Sequence, residues 1–281
     1  MQFHIVDVFS ADPYAGNQLA VIESERRLDS EQMQAIAAEM NYSETTFIES
    51  FETFDVRIFT PSDEIPFAGH PTLGTASVIR NRTDAVEPTL ALPVGSVPVH
   101  VESTPTGDVL WMTQQPPTIG ETIDRSQAAQ SIGVDSEHIV GPVQVVSTGL
   151  PTIIVPVADR EILEAATIDD DAYTALVQSR EAKNVLVYCD SPRSPANDLA
   201  VRVFAPALGV PEDPATGSSN GCLAAYLHDQ RGEPIEARIE QGQSMGRPSL
   251  LYIRADDDGV QVGGSVSRVA TGSLSLPNQN G

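Results

Sequence analysis

Three short segments concentrate the side chains able to do chemistry: Asn41-Tyr42-Ser43-Glu44-Thr45-Thr46-Phe47, Phe67-Ala68-Gly69-His70-Pro71-Thr72 and Glu212-Asp213-Pro214-Ala215-Thr216-Gly217-Ser218-Ser219. Glu44 lies beside Tyr42 and Phe47. Partial loss of water there raises a carboxyl toward the range useful for proton transfer, whereas an ordinary turn glutamate stays solvated. His70 can relay a proton or donate a hydrogen bond near neutral pH, or serve as a satisfied structural histidine. The other two segments open helices. His-Pro-Thr puts Pro71 at a first helical position, where a missing N–H costs nothing. Thr-Gly-Ser-Ser leaves the backbone accessible. A helix N-terminus offers unpaired N–H groups and a positive dipole end, so each start can hold a carboxylate. Two such starts facing one cleft suit a small acidic substrate. The plainer reading is that Asp213 or Ser218 only caps its own helix.

Other chemistries find little support. His4, His70, His100, His138 and His228 form no close pairs, and Cys189 and Cys222 lack a partner motif, so no metal site is expected. Cys222 falls inside the second helix and reads as packing. The Gly-Lys-Ser/Thr ending of a phosphate loop is absent. No Gly-x-Gly-x-x-Gly follows a strand, and no Gly-x-Ser-x-Gly elbow occurs.

The elements that must position these residues repeat. Arg57-Ile58-Phe59-Thr60-Pro61 returns as Arg202-Val203-Phe204-Ala205-Pro206, and at the same spacing Pro66 meets Pro211. Each copy runs strand, proline-bearing loop, then a helix of small residues, which suggests two similar halves. Short β-branched runs punctuated by Gly and Pro mark strands at 3–9, 19–23, 45–50, 55–60, 96–102 and 108–113 in the first half. Strands follow at 143–147, 152–157, 184–189, 199–204, 237–241, 249–255 and 260–263. Residues 29–40 form an amphipathic helix, with Met33, Ile36, Ala37 and Met40 on one face, Ser30 as its cap and Asn41 at its C-terminal end. Residues 159–165 and 169–180 also read as helical. The helices after His70 and Ser218 are small or apolar all round, as burial on every side requires. A buried helix wrapped by a curved sheet, twice over, is the expected architecture. The boundary falls near Pro116-Pro117.

The chain has 281 residues and a mass of 30.0 kDa, with 41% apolar residues, enough for one large domain or two ordinary ones. Its formal charge of −23 argues against nucleic-acid and anionic-membrane partners. No apolar run is long enough to span a bilayer, the N-terminus lacks a secretion signal, and two cysteines make no disulfide framework. A cytoplasmic protein is expected. Lys183 is the single lysine among 16 Lys and Arg, while acids cluster in Asp169-Asp170-Asp171 and Asp256-Asp257-Asp258. That surface points to a high-salt cytoplasm, where ions screen self-repulsion.

Taken together in order, the segments resemble the PhzF group, the phenazine-biosynthesis-like isomerases of the diaminopimelate epimerase fold. Val6-Asp7-Val8-Phe9 and Gly16-Asn17-Gln18-Leu19-Ala20-Val21 look like its opening. Ser43-Glu44-Thr45, the segment through His70 and the segment through Ser218 look like its site motifs. Glu240-Gln241-Gly242, Met245-Gly246-Arg247-Pro248-Ser249 and Gly263-Gly264 look like its C-terminal region. The resemblance implies a mixed α/β (α+β) fold of two pseudo-symmetric lobes, residues 1–116 and 117–265, with the last ~15 residues returning to the first. Each would be a mostly antiparallel sheet or barrel around a central helix, with the site between them. It implies cofactor-free proton transfer on a small carboxylate by a homodimer. Glu44 would be the acid–base, His70 and Asp213 would assist, and Gly69, Gly217 and Ser218 would bind the carboxylate. Related epimerases and proline racemases use two cysteines, whose places look filled here by His70 and Ser218. A two-thiol racemase is therefore disfavoured. An amino-acid epimerase using carboxylate and histidine, or a small-acid binder without catalysis, are the alternatives.

Overall fold

A computed structural model describes residues 1–24 and 28–275. Residues 276–281, part of the stretch expected to return to the first lobe, lie outside the described residues. In chain order the elements are β1 (Gln2–Val8), β2 (Asn17–Glu23), α1 (Ser30–Met40), β3 (Thr45–Ile48), β4 (Val56–Phe59), β5 (Glu64–Ile65), α2 (Gly69–Arg82), β6 (Thr89–Leu92), β7 (Gly95–Thr104) and β8 (Gly107–Thr113). They continue with β9 (Thr118–Ile123), α3 (Arg125–Ser131), β10 (Val143–Ser147), β11 (Thr152–Pro156), α4 (Arg160–Ala165), α5 (Asp170–Val177), β12 (Asn184–Cys189) and β13 (Leu199–Ala205). The last are β14 (Val210–Asp213), α6 (Gly217–Arg231), β15 (Ile235–Gln241), β16 (Ser249–Asp256), β17 (Gly259–Gly264) and β18 (Val266–Ser273). The chain divides into two compact units, Met1–Met112 with the stretch from Gly264 onward, and Thr113–Gly263.

In the first unit the strand order is β18-β1-β2-β3-β4-β5, antiparallel except for the parallel pair β2/β3. Period-two alternation sends side chains to opposite faces. One face carries Ile5, Ala20, Ile22, Phe47 and Phe59, which pack with Met33 and Ala37 of α1. The other receives α2. A methyl group at Gly74 would stand 2.5 Å from Leu19 and 2.9 Å from Val8, so the glycine is what lets this helix press onto β1 and β2. α1 is capped by Asp29, not Ser30: the Asp29 carboxylate accepts from the Gln32 amide and Gln32 answers with a bond from the Asp29 amide, a capping box. Its end is Asn41 in the left-handed region, φ 53°. β6, β7 and β8 add an antiparallel meander.

In the second unit β17-β16-β15-β13-β12-β11-β10-β9 form the sheet, with β14 paired to β13. β11/β12 and β13/β15 are parallel and the other printed pairs antiparallel. α6 is buried almost all round, from Ser219 to Leu227, as a helix of small and apolar residues must be. α3, α4 and α5 cover an apolar cluster that includes Val155, Val185 and Val187 from the sheet. Their starts are capped by Asp124, Asp159 and Asp169. The fold is therefore mixed α+β, with mostly antiparallel sheets and one buried helix in each unit. Both sheets have open ends in the described residues, so neither closes into a barrel. No described helix is long and apolar enough to cross a membrane.

The internal repeat is real in the elements but its spacing changes. Arg57 and Arg202 lie on equivalent strands β4 and β13, 145 positions apart, whereas the helix starts Gly69 and Gly217 are 148 apart. The difference is taken up where the second copy carries a 3-10 turn at Pro206–Leu208. Pro66, which follows β5, thus corresponds to Pro214 after β14; Pro211 lies inside β14.

Candidate active site

Glu44 occupies the last residue of the turn between α1 and β3. Its place is fixed from both sides: Asn41 ends the helix, and Thr45 enters the sheet between Ala20 of β2 and Phe59 of β4. The side chain is 18% exposed. Burial raises its pKa above the ordinary carboxylate value, opposed in part by a hydrogen bond from the Ser43 side chain. Its Oε2 is enclosed and makes no hydrogen bond. That oxygen stands 3.4 Å from Nε2 of His70, the second residue of α2. The helix begins at Gly69, so Pro71 is its third residue and not its first. The exchange is harmless, because the first four N–H groups of a helix have no partner within it. Ala68 precedes the helix and has no side chain to cap it, so the α2 start lacks a side-chain cap.

The second unit builds an analogous start. β14 ends at Asp213, and α6 opens at Gly217 after Thr216. Neither Asp213 nor Ser218 caps the helix. The cap position is Thr216, and its hydroxyl is turned away to donate to Asp213 Oδ2, leaving α6 without a side-chain cap. Gln241, fully buried at the end of β15, holds this turn. Its Nε2 donates to the Asp213 carbonyl at 2.8 Å and to Thr216 Oγ1 at 3.0 Å. Its Oε1 accepts from the Thr216 amide at 3.2 Å and from Asn220 Nδ2 at 2.8 Å. Both donors and both acceptor positions of the amide are thereby used. Gly217 is buried and Ser218 half-buried; the next residue, Ser219, shares a hydroxyl–hydroxyl bond with Thr152 at 3.0 Å.

Glu44, Gly69 and His70 thus form one group in the first unit, and Asp213, Gly217 and Ser218 another in the second. Gln241 and Thr216 hold the turn before α6, a part that the residue pattern assigned to neither. β15 alternates apolar and charged residues, and burial of Gln241 at its end shows only in the folded chain. Both thiols are buried: Cys222 is the sixth residue of α6, 3.4 Å from the Leu150 carbonyl, and burial pushes it and Cys189 up, away from thiolate. Asp135, Glu137 and His138 bring ligand atoms within 4.8 Å of one another, but on a solvated surface turn.

The chain has relatives among known proteins. A family model described as phenazine biosynthesis-like protein, PhzC-PhzF, matches residues 6–272. The trans-2,3-dihydro-3-hydroxyanthranilate isomerase of Pseudomonas aeruginosa is 34% identical, over 98% of this chain and 99% of its own. A structure of a predicted epimerase from the same organism superposes with a TM-score of 0.80 at 33% identity, covering 97% of this chain and 98% of that one. A PhzF-family protein from Bacillus anthracis superposes with a TM-score of 0.89 over 98% and 99%; at 23% identity it bears on the fold alone.

Proposed function

The chain belongs to the phenazine biosynthesis-like protein family and is an isomerase, and from that premise we propose that it shifts a proton within a small carboxylate metabolite, with Glu44 as acid–base and no cofactor. The Glu44 carboxylate removes a proton from one substrate carbon, and the electron pair left behind spreads into the neighbouring unsaturated system. The protonated Glu44 then returns the same proton to a different atom of the molecule. Enzyme and proton count end as they began. A raised pKa serves both halves, because an acid near the working pH gives and takes with similar ease.

One observation carries this reading: an enclosed carboxyl oxygen with no hydrogen bond of its own, 3.4 Å from an imidazole, beside a helix start that lacks a side-chain cap. His70 and Asp213 steady the transfer or hold a polar substrate group. The amides at Gly69 and Gly217 and the Ser218 hydroxyl bind the substrate carboxylate, as uncapped helix starts favour anions. The two-thiol alternative has no support, since positions 70 and 218 are His and Ser and both cysteines are buried, Cys222 one turn further into α6 than Ser218. The charge of −23 supports a small-molecule partner over nucleic acid or an anionic membrane. A cytoplasmic homodimer is part of the same proposal.

The test is proton exchange. The protein is incubated in deuterium oxide with a panel of small acids that includes trans-2,3-dihydro-3-hydroxyanthranilate, the acid in the P. aeruginosa relative's name. Deuterium entering one acid, and failing to enter with Glu44→Gln, is the expected result. Binding of an acid with no exchange in any of the panel would replace the enzyme by a binding protein.

A further inference from the structure

The two helix starts are approached by the same device. On β4 the Arg57 guanidinium lies over the Phe59 ring, 5.1 Å from its centre, and donates from Nε and Nη2 to the two oxygens of Glu64 at 2.7 and 2.5 Å. On β13 Arg202 lies over Phe204 at 4.7 Å and donates from Nε and Nη2 to the two oxygens of Glu212 at 2.9 and 2.8 Å. In each pair the arginine and phenylalanine are two residues apart, so they share a strand face. Glu64 opens β5, which runs into Gly69 and His70. Glu212 lies in β14, which ends at Asp213. The spacing from Glu64 to Glu212 is 148, the same as from Gly69 to Gly217 and from His70 to Ser218. The glutamates therefore move in register with the helix starts, and the arginines with the strands before them.

Each arginine also reaches a third element. Arg57 donates to the Ser30 hydroxyl at the start of α1 at 2.8 Å. Arg202 Nη1 donates to the Leu163, Glu164 and Ala166 carbonyls at the end of α4, at 3.1, 3.2 and 2.6 Å. Ser244 adds a donor to Glu212 Oε1 at 2.7 Å. The second brace is the more enclosed, with side chains 12% and 17% exposed against 22% and 35% for the first. Burial pushes the Glu212 carboxyl up, but the bonds from Arg202 and Ser244 outweigh it and hold the group ionised.

We infer that Arg57–Glu64 and Arg202–Glu212 are matched positioning braces, each fixing the short strand that delivers a helix start, with Arg202 setting the place of Asp213 through Glu212. The planar fork is what does this: two parallel bonds resist rotation, where a lysine would give one pivot. The role in catalysis rests on the function proposed above; the mechanical role does not.

The experiment compares Arg202→Lys, Glu212→Gln and Arg57→Lys with the wild type by amide hydrogen exchange and by turnover of trans-2,3-dihydro-3-hydroxyanthranilate. Arg202→Lys is expected to speed exchange at residues 213–219 by about tenfold or more, with β16 unchanged. Arg57→Lys is expected to do so at 64–72 and not at 213–219. Loss of placement at the sub-ångström to ångström scale lowers kcat by about 10- to 100-fold with KM changed less than about threefold. Glu212→Gln, which keeps one acceptor, falls between and serves if the lysine variant does not fold. Unchanged exchange at 213–219, or a rise spread evenly over the second unit, overturns the brace. A loosened turn with unchanged kcat overturns its catalytic use. If the wild type turns over no acid, the proposed function fails, and exchange alone decides the brace.

Discussion

Glu44 Oε2 and His70 Nε2 stand 3.4 Å apart, near enough to feel each other's charge, yet the carboxyl oxygen makes no hydrogen bond. Leaving an enclosed oxygen unpaired costs about 1–3 kcal/mol, a cost that the acid–base role proposed for Glu44 would account for. Under the proposed function, a proton taken from the substrate would fill that unmet bonding capacity.

Glu44→Gln separates that role from stability. Proton exchange into substrate should fall by about 10²- to 10⁴-fold, the range a general base contributes. Stability should move the other way. The folded-state pKa of Glu44 is raised by burial above 4.5, so the folded state binds this proton more tightly than the unfolded one. The wild type is therefore most stable, in this respect, below 4.5, and loses that increment as pH climbs through the raised value. Glutamine has nothing to ionise. Melting curves should show the variant more stable than wild type at neutral pH, with the advantage gone in acid.

Gln241→Met should cost about 3 kcal/mol in urea unfolding. It keeps the volume but strands the Thr216 amide and leaves Asn220 and the Asp213 carbonyl short of partners. Thr216→Val removes the donor to Asp213 and the acceptor for Gln241 Nε2 and should cost about 2 kcal/mol, while lowering turnover more than its stability loss explains.

Two glycines with nearly the same backbone give a controlled pair. Gly242 and Gly246 have φ of 75° and 68°. A methyl group at Gly242 would meet the Arg247 and Pro214 carbonyl oxygens at 2.3 and 2.6 Å, whereas at Gly246 it would meet nothing within 4 Å. Gly246→Ala should cost only the left-handed conformation, about 1–2 kcal/mol. Gly242→Ala should cost well beyond that and disturb turnover, since Pro214 follows Asp213 directly. Parallel denaturation curves would show it.

The charge of −23 predicts a melting temperature that climbs from low salt to molar KCl, as screening relieves repulsion among carboxylates. A flat salt profile would remove the high-salt reading of the composition.

Local chemistry reached the elements around the candidate site because each is short-range. The apolar period of residues 33–40 marks α1, β-branched runs mark β3, β4 and β13, and small residues mark the two buried helices. It misplaced what depends on one residue's geometry. Asp29 and Ser30 are both good caps, and only the backbone angles at Asp29 choose between them. Likewise a proline tolerates the third helical position as well as the first.

β18 shows the limit more sharply. Val-Ser-Arg-Val-Ala-Thr-Gly-Ser is nowhere fully buried and has no clear alternation, yet it is a strand because it pairs along the length of β1. β9 and α3 escaped notice for the same reason: the partner that stabilises them lies elsewhere in the chain. The repeat is visible in the sequence at a spacing of 145, but the 3-10 turn after β13 shifts it to 148 at the helix starts. Residue type and period announce which side chains want burial or charge, because those preferences are carried by each residue. Which buried oxygen is left without a bond, which glutamine holds a turn and which arginine grips which glutamate are settled by the folded chain, since hydrogen bonds need distance and angle between residues far apart in sequence.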